Sequence, residues 1–260
     1  MEAPVDIANW SDDVLAESRP ATGSTDATLD KQGWCLFLPQ VKAAGALPVV
    51  DGQLTTKNGT VYARDPAKKN SLVLNTVNAA KTLQFATPAC CEEIYFIVIS
   101  AEGASSLKAA VNYEDGTSEA AQQFTVGDWF SGSANQGEAI YGLDRIKRGA
   151  GGGYTNDQFD GRSNFRIFEY TLSADKSKVV SGITFTSTAS GKIPTILGVA
   201  KKGYRLIDPD GIGGIQDSES SASAAASSVY NLSGQRIGQM QKGVNIIRYT
   251  DGTARKVLVK

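Results

Sequence analysis

Glu93-Ile94-Tyr95-Phe96-Ile97-Val98-Ile99 is the stretch on which the fold turns. Six of its seven residues are apolar or aromatic, and four are β-branched. Such side chains suit a pleated backbone. A strand with one wet face alternates apolar and polar residues, whereas a near-continuous apolar run predicts a central strand covered on both sides. Outward from this run the same grammar repeats: short apolar runs broken by Gly, Asp and Asn. Strands are expected at 34–38, 71–74, 82–86, 93–100, 107–113, 120–126, 139–143, 165–171, 179–186 and 196–199. Ile183-Thr184-Phe185-Thr186 alternates in the strand sense, with apolar residues on one face and threonines on the other. Asp115-Gly116 and Asp251-Gly252 each sit between two such runs and signal hairpins. Apolar faces of helical period are scarce, β and α patterns do not alternate, and no fixed-period repeat occurs. The expectation is an all-β sandwich.

The chain has 260 residues, enough for one large domain, or for one domain and a small one. Its 26 basic and 27 acidic residues leave a net charge of −1, which offers nucleic acid or an anionic membrane no global attraction. No histidine is present, so Ser-His and Cys-His nucleophile pairs and His-ligated zinc are excluded. No apolar run approaches the roughly 20 residues that span a bilayer. The opening Met1-Glu2-Ala3-Pro4 has neither a basic nor an apolar leader region. That fits a cytosolic chain, or a mature exported chain to which Met1 was added. Cys35 has Cys90 or Cys91 as a disulfide partner, but buried thiols acting as small hydrophobes are the favoured reading. Gly149 to Gly153 holds four glycines with no following Lys-Ser/Thr pair, and reads as a flexible loop rather than a phosphate cradle. Near Asp208 the composition turns to Asp, Gly, Ser and Ala, the signature of a linker. Residues 229–260 then carry six basic residues and one acidic, net +5, against −6 for the rest. The expected organisation is a β-sandwich domain at 3–205, a linker at 206–228 and a small β module at 229–260.

Two resemblances add to this. Val229-Tyr230-Asn231-Leu232-Ser233-Gly234-Gln235-Arg236-Ile237, then Gln241-Lys242-Gly243-Val244-Asn245-Ile246-Ile247 and the ending Arg255-Lys256-Val257-Leu258-Val259-Lys260, resembles the C-terminal sorting domain of Bacteroidetes secreted proteins. That resemblance implies an export-machinery partner, and a secreted or cell-surface location. In the large domain, Val5-Asp6-Ile7-Ala8, Tyr113-Glu114-Asp115-Gly116-Thr117 and Asp128-Trp129-Phe130 resemble the galactose-binding-like modules attached to secreted glycosidases. This second resemblance implies a jelly-roll form of the sandwich and a carbohydrate ligand.

Sugar recognition needs aromatic faces for the apolar side of the ring, and carboxylates, amides or arginines for its hydroxyls. Residues 129–166 are dense in both, and density between strands marks loops, where binding residues gather. The candidate carbohydrate-binding residues are Trp129, Tyr141, Tyr154, Asp160 and Arg162. Trp129 or Tyr154 would stack on the sugar, with Asp160 and Arg162 reaching its hydroxyls. The competing place for Trp129 and Tyr141 is the core or a strand corner. Two of Asp144, Asp157 and Asp160 would be needed as the carboxylate pair of a glycosidase. No cofactor is implied; Ca²⁺, through those carboxylates or Asp208 and Asp210, is the ion their oxygens would suit. The expected function is noncatalytic carbohydrate binding. The alternatives are an adhesive surface protein that binds another protein, and a glycan hydrolase. The partner is a glycan or a surface protein, without nucleic acid and without a membrane-spanning segment.

Overall fold

The structure is a computed structural model that describes residues 2–64, 69–149, 153–203, 226–231, 233–249 and 254–259. Most of the expected linker, with Asp208 and Asp210, lies outside the described residues, as do Asp251-Gly252 and residues 150–152 of the glycine-rich loop. The chain divides into two compact units, Met1–Tyr204 and Arg205–Lys260. Among the described residues the regular structure of both is almost entirely strand. No described helix is long and apolar enough to cross a membrane.

Two antiparallel sheets make the body of the first unit. One runs in the order Glu2–Pro4, Ile193–Lys202, Glu93–Ala101, Phe165–Ser173, Glu138–Leu143, with Leu72–Val73 also paired to Ile193–Lys202. The other runs Gln122–Val126, Ser105–Tyr113, Val180–Ser187, Ala80–Ala89. All ten strands expected from the sequence form. Between the sheets Phe96 meets Phe124 and Phe185 edge-on, each at 5.3 Å, amid Val98, Leu107 and Phe168. At the Asp115-Gly116 hairpin tip, Asp115 Oδ1 accepts the Thr117 N–H at 2.9 Å and its hydroxyl at 2.6 Å. Thus the side chain closes the turn.

Glu93–Ala101 is covered on both faces, as its apolar run requires. Phe96 and Val98 face the second sheet, while Ile97 and Ile99 face a third layer that the sequence did not announce. This layer consists of two small patches. In one, Trp34–Phe37 pairs with Ile146–Lys147 antiparallel and with Leu15–Ala16 parallel. The other is the meander Val49–Val50, Gln53–Thr55, Val61–Ala63. Of these six strands only the one at Trp34 was expected. Strands of two or three residues are too short to show a period of two; packing on the central sheet is what holds them.

The three cysteines are free thiols. Cys91 belongs to the core between the sheets and Cys35 to a separate cluster with Phe37 and Ile146, so the Cys35 disulfide does not form. Burial pushes the Cys35 thiol up to about 12 and that of Cys91 to about 11, as expected of inert packing groups.

The second unit is one antiparallel sheet in the order Arg236–Ile237, Ala226–Asn231, Gly243–Tyr249, Ala254–Val259. Asn231 Oδ1 accepts the Gln235 N–H at 2.9 Å and so shapes the first turn. Asn245 is buried; its side chain accepts from Gln241 N–H at 2.9 Å and donates to the carbonyls of Gln241 and Gly243 at 2.6 and 3.1 Å.

Candidate functional site

The loop Asp128-Trp129-Phe130 is built by its first residue. Asp128 Oδ1 accepts the N–H groups of Phe130 and Ser131 at 2.8 and 2.7 Å, and Oδ2 accepts that of Gly103 at 2.7 Å. Trp129 is bonded by its backbone to both neighbouring strands, through Ser100 O at 2.8 Å and Arg166 N–H at 2.9 Å. The Trp129 ring therefore turns inward. It is 3% exposed and lies 4.7 Å from Phe165 in the layer over the central sheet. Trp129 is a core residue with no open face for a sugar, a correction to its expected stacking role. Its neighbour Phe130 turns outward and is 36% exposed, 5.4 Å from Phe165.

Under Phe130 lies a charged network centred on Arg145, which is buried. Its guanidinium carbon sits 4.2 Å from the Trp34 ring centre, 4.6 Å from that of Phe165 and 5.3 Å from that of Trp129. Arg145 Nη1 donates to Asp30 Oδ2 at 3.2 Å, and Nε and Nη2 each meet Asp160 Oδ2 at 2.9 Å. Asp160 also receives Arg162, through Nε on Oδ1 and through Nη2 on Oδ2 at 2.6 Å. Burial works to raise the Asp160 carboxyl, but the hydrogen bonds from Arg162 and Arg145 outweigh it and hold the group below its ordinary range. For Asp30, burial wins over the N–H groups of Trp34 and Gln32 and raises it. Burial lowers Arg145 against the pull of Asp160.

Asp160 is thus fully buried and tied by two arginines, so it braces the surface instead of touching a ligand there. Arg162 is the group it braces: nearly half exposed, with its guanidinium 4.3 Å above the Phe130 ring. Tyr154 is half-buried and meets Trp34 edge-on at 4.7 Å. The fold therefore brings Trp129, Tyr154, Asp160 and Arg162 into one cluster through Phe165, Trp34 and Arg145.

Tyr141 lies apart. It is on the edge strand Glu138–Leu143, opposite Arg166, whose guanidinium stands 4.6 Å over its ring. Successive residues of a strand point to opposite faces, so the Tyr141–Arg166 pair lies across the sheet from Phe165 and Phe130. At 56% exposed, Tyr141 is the most open aromatic among the described residues. Arg166 is held in place by Glu138, 3.2 Å away.

The three aspartates considered as a catalytic pair are all engaged within the chain. Asp144 is bound by Lys42 at 3.1 Å and by Gly161 N–H at 2.9 Å, and Asp157 accepts Ala21 N–H at 2.7 Å. Gly45 passes so close to Asp144 that an added Cβ would lie 2.4 Å from the Asp144 Cβ, and its φ of +76° also favours glycine. Among the described residues no group of three or more acidic or cysteine side chains is arranged to hold a metal ion. Asp30, Trp34 and the bracing role of Arg145 were not legible in sequence. Arg145 and Asp30 are 115 residues apart, and no local pattern links them.

No protein-family model matches this chain, and no curated protein does. Among solved structures it is similar to two variants of family 29 carbohydrate-binding modules. One is 12% identical over 61% of this chain and 80% of the other; the second is 13% identical over 61% and 86%. The TM-score is 0.26 in both cases, and at that score the likenesses carry no argument about this chain's ligand.

Proposed function

We propose that the chain is an exported, noncatalytic carbohydrate-binding protein, with its glycan contacts on two exposed rings that each carry an arginine, Phe130 with Arg162 and Tyr141 with Arg166. One observation carries the reading. Near the start of the Phe165–Ser173 strand each face of the sheet carries one exposed ring with a guanidinium over it, Phe130 with Arg162 on one side and Tyr141 with Arg166 on the other, and Arg162 is held in place by the buried Asp160–Arg145 pair. A ring offers the apolar face of a pyranose a surface, and a fixed guanidinium offers its hydroxyls donors. Prior fixation lowers the ordering cost of binding. Export rests on the resemblance of residues 229–260 to a sorting domain; fusing residues 226–260 to a reporter in a bacterium with the matching secretion system tests it, and a reporter retained inside the cell would refute it.

Glycan-array binding followed by calorimetry tests the site. Losing a stacking ring removes about 1–3 kcal/mol of apolar burial, so Tyr141→Ala or Phe130→Ala weakens binding roughly 10- to 100-fold. A folded Phe130→Ala/Arg162→Ala variant and a folded Tyr141→Ala variant that both bind as the parent does would place the site elsewhere. A second reading has its own support: Tyr141 stands on an edge strand, and such an edge can accept a strand from a partner protein. A parent chain that binds no glycan favours that reading.

A further inference from the structure

Arg64 follows the Val61–Ala63 strand and is 2% exposed. One end of its guanidinium is anchored: Nη1 donates to the carbonyl of Asn70 at 2.6 Å and to that of Leu197. Among the described residues Nε and Nη2 have no hydrogen-bond partner, and both are closed to solvent. These two nitrogens form the edge of the guanidinium whose N–H bonds run parallel and take both oxygens of one carboxylate. Arg162 shows this edge in use, since its own Nε meets Oδ1 and its Nη2 meets Oδ2 of Asp160. Asp13 is near enough to Arg64 to favour its charge, yet Asp13 Oδ1 is spent on Leu15 N–H at 3.1 Å and Asn70 Nδ2 at 2.8 Å. Burial without a paired carboxylate lowers the Arg64 guanidinium to about 10.

Arg64 also borders a cleft of about 310 Å³, within the range of small-ligand sites. Val5, Ile7 and the half-buried Trp10 supply its apolar wall, with Asp6 and Lys69 beside them. Lys69 is already committed, to Ser11 O at 2.5 Å and Asp26 at 3.1 Å. The cleft thus sets an aromatic ring beside an anchored cation whose Nε and Nη2 are shielded and have no partner among the described residues.

We propose that this cleft is a second binding site, which takes an acidic sugar unit: the carboxylate on Nε and Nη2 of Arg64 and the ring against Trp10. Entry needs a small shift of the cleft wall, because both nitrogens are shielded. The sugar ring rests on the carbohydrate reading above; the carboxylate fork does not.

The test reads the wild-type, full-length chain. The Arg64 Nε–H resonance, identified by its loss in Arg64→Lys, is followed during titration with sodium glucuronate, glucose, sodium acetate and sodium chloride. The expected result is a saturable shift with glucuronate, at least tenfold weaker affinity for acetate, and no response to glucose. In Trp10→Ala the affinity for glucuronate falls to that for acetate. No shift with glucuronate, or the same shift with chloride at equal ionic strength, overturns the site. Equal affinity for acetate and glucuronate overturns the sugar assignment. Failure here is separable from failure at the aromatic–arginine pairs, because those are read by Phe130 and Tyr141 variants on neutral glycans.

Discussion

Arg145 is held by two carboxylates and faces three aromatic rings, whereas Arg64 is held by two backbone carbonyls and leaves two nitrogens without a partner. Both are buried guanidinium groups of one domain. At Arg145 every charge is answered inside the chain, so the group stiffens the loops around it and passes order outward to Arg162. At Arg64 the anchoring bonds fix the position of the group but not the neutralisation of its charge. A buried cation of the first kind is structural; one of the second kind retains a binding capacity that nothing in the described chain uses.

The largest expected effect breaks or confirms that contrast. Arg145→Met leaves Asp30 buried without a cation and Asp160 with Arg162 alone, and should cost about 3–5 kcal/mol in urea denaturation. Arg64→Met removes a charge with no carboxylate partner and strands only two carbonyls, so it should cost about 1–3 kcal/mol. Equal losses would show that the two sites are energetically alike.

A smaller effect sharpens the contrast through pH. Asp160 has a lowered folded pKa, so its contribution is present above the unfolded value of about 3.9 and is lost as pH falls through the folded value. Asp160→Asn should therefore flatten the loss of stability on the acid side of about pH 4, measured by denaturation from pH 2 to 6. Asp30 acts in the opposite sense: with its folded pKa raised, its contribution is present at low pH and is lost as pH rises through the folded value. An unchanged acid limb in Asp160→Asn would mean that the Arg145 pair contributes nothing to the profile.

The smallest effect separates the braces from the surface they hold. Phe130→Ala and Tyr141→Ala remove exposed groups and should change stability by no more than about 0.5 kcal/mol. Their effect belongs to glycan affinity. A large loss of melting temperature in either would make that residue part of the frame.

Legibility followed local pattern. The ten expected strands were readable because each carries its own apolar run or alternation, and Asp115-Gly116 was readable as a turn because its backbone demands are local. Asp160 and Arg162 were both legible as candidates for a sugar's hydroxyls, but that they bond each other, with the Asp160 side chain turned inward, was not. Trp129 was not readable: a Trp after an Asp looks the same whether the loop turns it in or out, and backbone bonds to Ser100 and Arg166 make that choice. Phe130, one residue on, takes the exposed place expected of Trp129.

By itself, then, the sequence determined an all-β chain, a central strand buried on both faces, the hairpins and the stretch in which aromatic and charged residues gather. These follow from side-chain period and turn chemistry, which act over a few residues. Only the tertiary structure decided what covers the second face of that strand, which aromatics are open, and which buried arginine is fully paired. Those outcomes depend on groups such as Asp30 and Arg145, or Arg64 and Leu197, that are 115 and 133 residues apart. Burial and pairing arise only when such distant groups share one small volume.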